Sequence, residues 1–146
     1  MWEVKTDDNT LHDKDWTYSW YEPDMTKNGG LPGTVDGGNC GATSQCDTYG
    51  LVTVVNTKGW CGFNDWRVPT RQELISIVNY GQFGNAIERK YFPDTFHPMP
   101  TTFWTSTPSS RSIDDAIVID FLAGESFNGY RASAIGYRVR LVRNVN

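Results

Sequence analysis

No stretch of this 146-residue chain approaches the roughly 18 consecutive apolar residues that a membrane-spanning helix needs. Basic residues are scarce: 13 Lys and Arg against 17 Asp and Glu leave a net charge of −4. Nucleic-acid binders draw most of their affinity from phosphate contacts and usually carry a basic excess, so the balance counts against that class. There are only two histidines, His12 and His97, and neither stands in a motif that would set a base beside a nucleophile. The three cysteines, Cys40, Cys46 and Cys61, lack the paired Cys-x-x-Cys spacing of a zinc site. No basic-then-apolar leader follows Met1, since Trp2-Glu3-Val4-Lys5 comes at once. Those residues read as the middle of a strand. The expectation is therefore one domain over residues 1–146, excised from a longer exported protein, with no membrane insertion and no nucleic-acid partner.

What the chain has is rings and turns. It carries six Trp, seven Tyr and seven Phe, which supply much of the apolar area in a sequence only 38% hydrophobic. Fourteen Gly and seven Pro announce many turns and long ordered loops. The odd cysteine count leaves one thiol over, and clustering in a Gly-rich region favours one local disulfide formed in an oxidising compartment. Cys40–Cys46 closes the shortest loop; Cys46–Cys61 is the alternative.

Trp2–Lys5 and Trp16–Tyr21 read as strands, separated by the Asp-dense segment 6–15. Residues 22–45 form a long loop with two Gly-Gly pairs, a length that often signals function. A first helix is expected over Thr48–Lys58, with Asp47 as its N-cap, Gly59 at C′ and Leu51, Val54 and Val55 as its apolar stripe. Thr70-Arg71-Gln72-Glu73 is a capping box that starts a second helix. That helix is expected to bury Leu74, Ile77 and Val78 and to stop at Gly81. Residues 91–93 and 97–100 are proline-fixed irregular chain. Strands are expected at Phe103–Thr107, at Ala116–Leu122 with a turn at Gly124, and at Tyr137–Arg143, whose charged face should meet solvent or a partner. Early helices and a terminal run of antiparallel strands make the class α+β.

Several segments, taken in order, resemble one family. They are Met1-Trp2-Glu3, Trp16-Thr17-Tyr18, Cys61-Gly62, Asp65-Trp66-Arg67-Val68-Pro69-Thr70 with Glu73-Leu74, Tyr91-Phe92-Pro93, Phe103-Trp104-Thr105-Ser106-Thr107-Pro108, and Tyr137-Arg138-Val139-Arg140-Leu141-Val142-Arg143. Together they resemble the Lcl C-terminal domain family, named for a bacterial collagen-like adhesin. The resemblance implies a C-type-lectin-like fold: two short helices packed on a twisted, mainly antiparallel sheet with long ordered loops. It also implies an exported or cell-surface setting, extracellular or periplasmic, and a role in adhesion. The founding adhesin is trimeric and binds sulfated glycosaminoglycans. That ligand class requires a basic surface, from which this acidic chain departs. The related formylglycine-generating enzymes use a cysteine pair in their C-terminal portion, and no cysteine follows Cys61 here.

Candidate sites each stand beside a plainer reading. Asp7, Asp8, Asn9, Asp13 and Asp15 could hold calcium, but they lack an EF-hand spacing and read more simply as a solvated turn. Asp114, Asp115 and Asp120 invite the same idea; Asp120, inside an apolar strand, is expected to be buried against an Arg. Trp66 reads as a core anchor, with Arg67 paired to Glu73 or Asp120. Arg111, Arg131, Arg138, Arg140 and Arg143 could form an anion-binding patch or simply a solvated strand face. Residues 125–134 have the Tyr/Ser/Asn/Arg composition of adaptable binding loops. By the resemblance, the ligand surface is expected at Trp104, Ser126, Asn128, Tyr130, Arg131, Arg138 and Arg140. The expected function is non-enzymatic recognition of a glycan or a surface protein, with no catalytic residues and no cofactor other than calcium. The alternatives are a structural or homo-oligomeric assembly module and, third, a carbohydrate-active enzyme with two carboxylates in a pocket.

Overall fold

The computed structural model describes residues 1–95, 101–133 and 137–145. His97 and its neighbouring prolines, and Ala134, lie outside the described residues. The architecture is α+β. Helix α1 spans Thr48–Lys58, helix α2 spans Arg71–Ile75, and a three-stranded antiparallel sheet follows. Its strands are β1 (Thr102–Pro108), β2 (Asp115–Asp120) and β3 (Glu125–Tyr130), in that spatial order.

Helix α1 forms where the capping chemistry expects it. The Asp47 carboxylate accepts from Gly50 N at 2.7 Å, satisfying a first-turn amide. At the other end Gly59 adopts φ 62° and returns its amide to Asn56 and Val55. Leu51 and Val55 are fully buried. Helix α2 has both halves of its capping box but runs only to Ile75, not to Gly81. Beyond it the Ser76 hydroxyl donates to Glu73 O, and the chain turns so that Val78 bridges Ile87 and Asn79 N donates to Ala86 O. A local β pairing thus replaces the next helical turn, as suits the branched Ile75, Ile77 and Val78.

Strand β2 is the centre of the sheet and is covered on both faces. Val118 belongs to a core with Tyr18, Trp20, Leu51, Val55, Trp66, Trp104, Val139 and Leu141. Ile119, one residue on, belongs to a second core with Leu74, Ile87, Phe92, Phe103 and Phe121. Helix α2 packs on β1 and β2. The β2–β3 turn closes at Gly124, whose φ of 76° favours glycine. Residues 125–130, expected in a loop, are a strand.

The expected strands at 2–5, 16–21 and 137–143 are extended chain held by single bridges instead of ladders. The last of them ties the molecule together. Tyr137 O accepts from Tyr18 N, Arg138 exchanges bonds with Thr102 and Trp104 next to β1, and Leu141 O accepts from Glu3 N. Val142 pairs in both directions with Arg67, and Arg143 N donates to Met1 O. Its charged face does not meet solvent. Arg138 is 4% exposed and Arg140 not at all. The reason is a second layer: the N-terminal segment and Phe92 cover the side opposite Val139 and Leu141.

Under that layer sits a buried ionic cluster. Glu3 Oε1 meets Lys5 Nζ at 2.9 Å and His12 Nδ1 at 2.8 Å, and Glu3 Oε2 accepts from Leu141 N at 2.7 Å. Burial alone would raise the Glu3 carboxyl. The Lys5 charge, His12 and the Leu141 amide outweigh it and hold the carboxyl down at about 2, against an ordinary 4.5. A carboxylate whose folded pKa is depressed stabilises the fold above its unfolded pKa and loses that contribution as pH falls. Unfolding free energy is therefore expected to drop by on the order of 3 kcal/mol as pH falls from about 4.5 to about 2 through this group. Glu3→Gln should weaken the protein at pH 7 and flatten this acid limb. Urea titrations at several pH values check it, and an unchanged acid limb in the variant would locate the sensitivity elsewhere.

Candidate functional site

A groove of about 800 Å³ opens between the 20–27 loop, the first turns of α1 and the chain entering α2. Its lining includes Tyr21, Glu22, Asp24, Lys27, Tyr49 and Arg67, with Val52, Val68 and Pro23 contributing apolar wall. The loop is fastened to the helix by Thr48. Its hydroxyl accepts from Tyr21 N at 2.9 Å and donates to Tyr21 O at 2.8 Å. That tie brings the Tyr21 and Tyr49 rings together edge to face, with centroids 6.0 Å apart and planes at 89°. Tyr49 is 46% exposed.

Glu22 is positioned by its own backbone and by its neighbours. Its amide donates to Pro32 O at 2.8 Å, its carbonyl accepts from Asn28 Nδ2 at 3.1 Å, and its Oε1 accepts from Asp24 N at 3.0 Å. Asp24 is already paired. Lys27 Nζ lies 2.9 Å from its Oδ2, and Thr26 gives its Oδ1 a hydroxyl and an amide. The Lys27 hydrogen bond leads these in holding the Asp24 carboxyl down to about 2. On the opposite wall Arg67 reaches Glu73 through two bonds of 2.7 and 2.6 Å and Asn144 Oδ1 at 2.9 Å. The Arg67 bond also does most to keep the Glu73 carboxyl near 2.

The residues expected at the ligand surface divide in two. Ser126, Asn128 and Tyr130 share one face of β3. Ser126 Oγ accepts from Arg71 Nε at 3.0 Å, Asn128 Oδ1 accepts from Ser109 Oγ at 3.2 Å, and Tyr130 is 56% exposed. Trp104, Arg131, Arg138 and Arg140 are not on that surface. Trp104 is fully buried and donates its indole N–H to Tyr18 O at 2.7 Å. Gly129 leaves room for its ring, because a side-chain carbon there would sit 2.9 Å from it. Arg131 is 2% exposed, stacks 4.2 Å over Trp20 and donates to Asp115 O and Leu31 O. Arg140 lies over Phe92 and Phe103 and donates to Glu3 O and Thr95. Arg138 lies 3.5 Å from Asp15. Arg143 is held by Asp65, with Nε 2.7 Å from its Oδ1, and stacks 3.6 Å over Phe63. The arginine-rich segment is neither a solvated face nor an exposed anion patch, because its guanidiniums are consumed by carboxylates, carbonyls and rings. Of this group Arg111 stays exposed.

Other expectations resolve similarly. Cys40 and Cys46 form the disulfide, and Cys61 is an exposed free thiol. Trp66 is buried, and Arg67 takes Glu73 rather than Asp120. The Asp120 carboxylate is instead met by Thr101 Oγ1 and Leu122 N. In the Asp-dense segment the Asp13 carboxylate accepts three backbone amides, from Asp8, Asn9 and Asp15. Among the described residues no three His, Cys, Asp or Glu side chains converge as a metal site.

Sequence reasoning flagged the 22–45 loop by its length but missed Tyr21, Glu22, Asp24, Lys27, Tyr49, Thr70 and Ser106 as groove residues. Tyr49 carried the usable signal: it is an aromatic ring on α1 outside the Leu51–Val54–Val55 stripe.

The family model of the Lcl C-terminal domain matches residues 1–143. The chain belongs to the Lcl C-terminal domain family. No curated protein and no solved structure matches it.

Because the guanidinium of Arg140 is fully enclosed, Arg140→Ala should act on stability. The expected loss is about 3–5 kcal/mol, the range for leaving a buried charge cluster incomplete. Chemical denaturation measures it. A variant as stable as the parent would mean that this side chain is solvated.

Proposed function

We propose that this Lcl C-terminal domain is a non-enzymatic, extracytoplasmic module of C-type-lectin-like architecture that recognises a glycan or a surface protein in adhesion. The observation that carries the reading is the groove, where an exposed tyrosine stands over a mixed polar and apolar wall. Rings of this kind give contact area at low entropic cost, and fixed polar groups around them orient a ligand. A glycosidase would need one carboxyl raised so that it stays protonated at neutral pH. Asp24 is shifted the other way. The half-buried Ser126 and Asn128 and the exposed Tyr130 on β3 extend the candidate surface, with Ser126 bonded to Arg71, the residue after the groove-lining Thr70.

The family and the Cys40–Cys46 disulfide, which suits an oxidising compartment, support the extracytoplasmic reading. No helix among the described residues is long and apolar enough to cross a membrane. A second reading, an assembly module, draws on the highly exposed Tyr80 and Phe83, which lie close together in the 79–85 segment.

Two measurements separate these readings. Tyr49→Ala should weaken ligand binding at least about tenfold, the loss typical of truncating a recognition aromatic, while shifting stability by less than about 1 kcal/mol. Glycan arrays and surface-protein panels, read with parent and variant, check it; a hit unaffected by Tyr49→Ala removes the groove from the account. Sedimentation of the parent and of Phe83→Ser tests assembly, and a concentration-independent monomer in both would end that alternative.

A further inference from the structure

Resting on the groove as the recognition site, we infer that its ligand is the cationic side chain, lysine or arginine, of a protein partner, taken by the Glu22 carboxylate beside the Tyr21–Tyr49 pair.

Three observations point there. The first is a charge left over. Asp24 is matched by Lys27, and Arg67 by Glu73, yet no ion pair is made by Glu22 among the described residues. Its Oε1 takes the Asp24 amide, and its Oε2 accepts no hydrogen bond from the described residues. The backbone that carries it is fixed by bonds to Pro32 and Asn28, and the Asp24 amide orients the carboxylate through Oε1. It is a fixed acceptor with an unused oxygen, which an N–H of an incoming cation would satisfy with a charge-assisted bond.

The second is the company it keeps. Tyr21 and Tyr49 offer ring faces and edges in one corner of the groove, and a guanidinium or ammonium gains by lying over such a face. Along the same groove Pro23, Val52 and Val68 form an apolar wall. Lysine and arginine have this sequence of chemistry, a methylene stem followed by a charged head. An amino sugar carries hydroxyls around its whole ring and would leave them against that wall.

The third is the field of the whole molecule. Five of the 13 basic residues are buried: Lys5, Arg131, Arg138, Arg140 and Arg143. Only three of the 17 acidic residues are, namely Glu3, Asp13 and Asp47. The accessible charge is therefore eight basic against fourteen acidic groups, more negative than the net charge implies. Such a surface steers cations inward and repels polyanions.

The test uses the whole domain, isotope-labelled, with four probes followed by amide shifts and by calorimetry. They are an octapeptide of alternating arginine and glycine, the same peptide with citrulline for arginine, a glucosamine oligomer and an N-acetylglucosamine oligomer. Citrulline keeps the shape of arginine and removes its charge. The arginine peptide should shift the amides of Glu22, Tyr49 and Val52 and bind at least about tenfold more tightly than the citrulline peptide, as expected for one charge-assisted bond. Glu22→Gln should erase that preference while leaving the spectrum folded, which general attraction to an acidic protein would not do. Equal binding of the two peptides at the groove would overturn the inference. So would groove binding by either oligosaccharide without the arginine peptide, though recognition at the groove would then stand. Silence of the groove amides with all four probes would overturn both.

Discussion

The carboxylate of Glu3 is the group on which most of the remaining structure leans. It is fully buried, and a buried carboxylate is tolerated only if its lone pairs are filled and its charge matched. Lys5 and His12 meet one oxygen, and the Leu141 amide meets the other. Those three partners fix three pieces of chain at once: the N-terminal segment, the Asp-dense turn and the closing extended segment. The His12 ring then stacks on Trp60, with centroids 3.9 Å apart, and Trp60 packs against Trp66. One ionic contact is thereby relayed into the aromatic core that positions the chain from Trp66 to Thr70, one wall of the groove.

The sheet contributes the other constraint. Among the described residues three strands form the ladder, and β2 is covered on both faces, so two cores lie against it. The core containing Trp20, Leu51 and Trp104 holds α1 and the 20–27 loop together, and the indole of Trp20 donates to Thr105 O on β1. The groove floor is thus bonded directly to the sheet, while Glu22 and Tyr49 project from elements seated on it. A groove built this way is largely formed before any ligand arrives, which lowers the ordering cost of whatever it binds.

Much of this was legible in the sequence. Capping chemistry is local, so Asp47, Gly59 and the Thr70–Glu73 box located both helix starts and one helix end. The α+β class, one local disulfide and the Trp66 anchor were also readable, whereas the choice of Cys40–Cys46 over Cys46–Cys61 and of Glu73 over Asp120 for Arg67 came only with the structure. The end of α2 was not, because whether Ile77 and Val78 continue a helix or pair with Ile87 depends on a segment nine residues further on. Nor was the groove. Its walls come from three stretches far apart in sequence, and none of Glu22, Tyr49 or Thr70 forms a pattern with the others along the chain.

The arginines show why alternation can mislead. In Tyr137–Arg143 apolar and charged residues alternate as on a strand with one wet face, and that inference assumes nothing lies over the charged side. Here the N-terminal segment lies over it. Arginine suits this use: its guanidinium is planar, stays charged and can stack on a ring while its edge donates. Arg140 does both, over Phe92 and toward Glu3 O, and Arg131 does both over Trp20 and toward Asp115 O. Even so, burial pulls the Arg140 guanidinium down to about 10, still well above neutrality, so the charge remains and must be answered from within. A residue type that reads as a binding surface in one dimension has become internal framework in three. What is left outside is the acidic majority, so the sign of the accessible surface is set by which charges the fold buries and not by the arginine count.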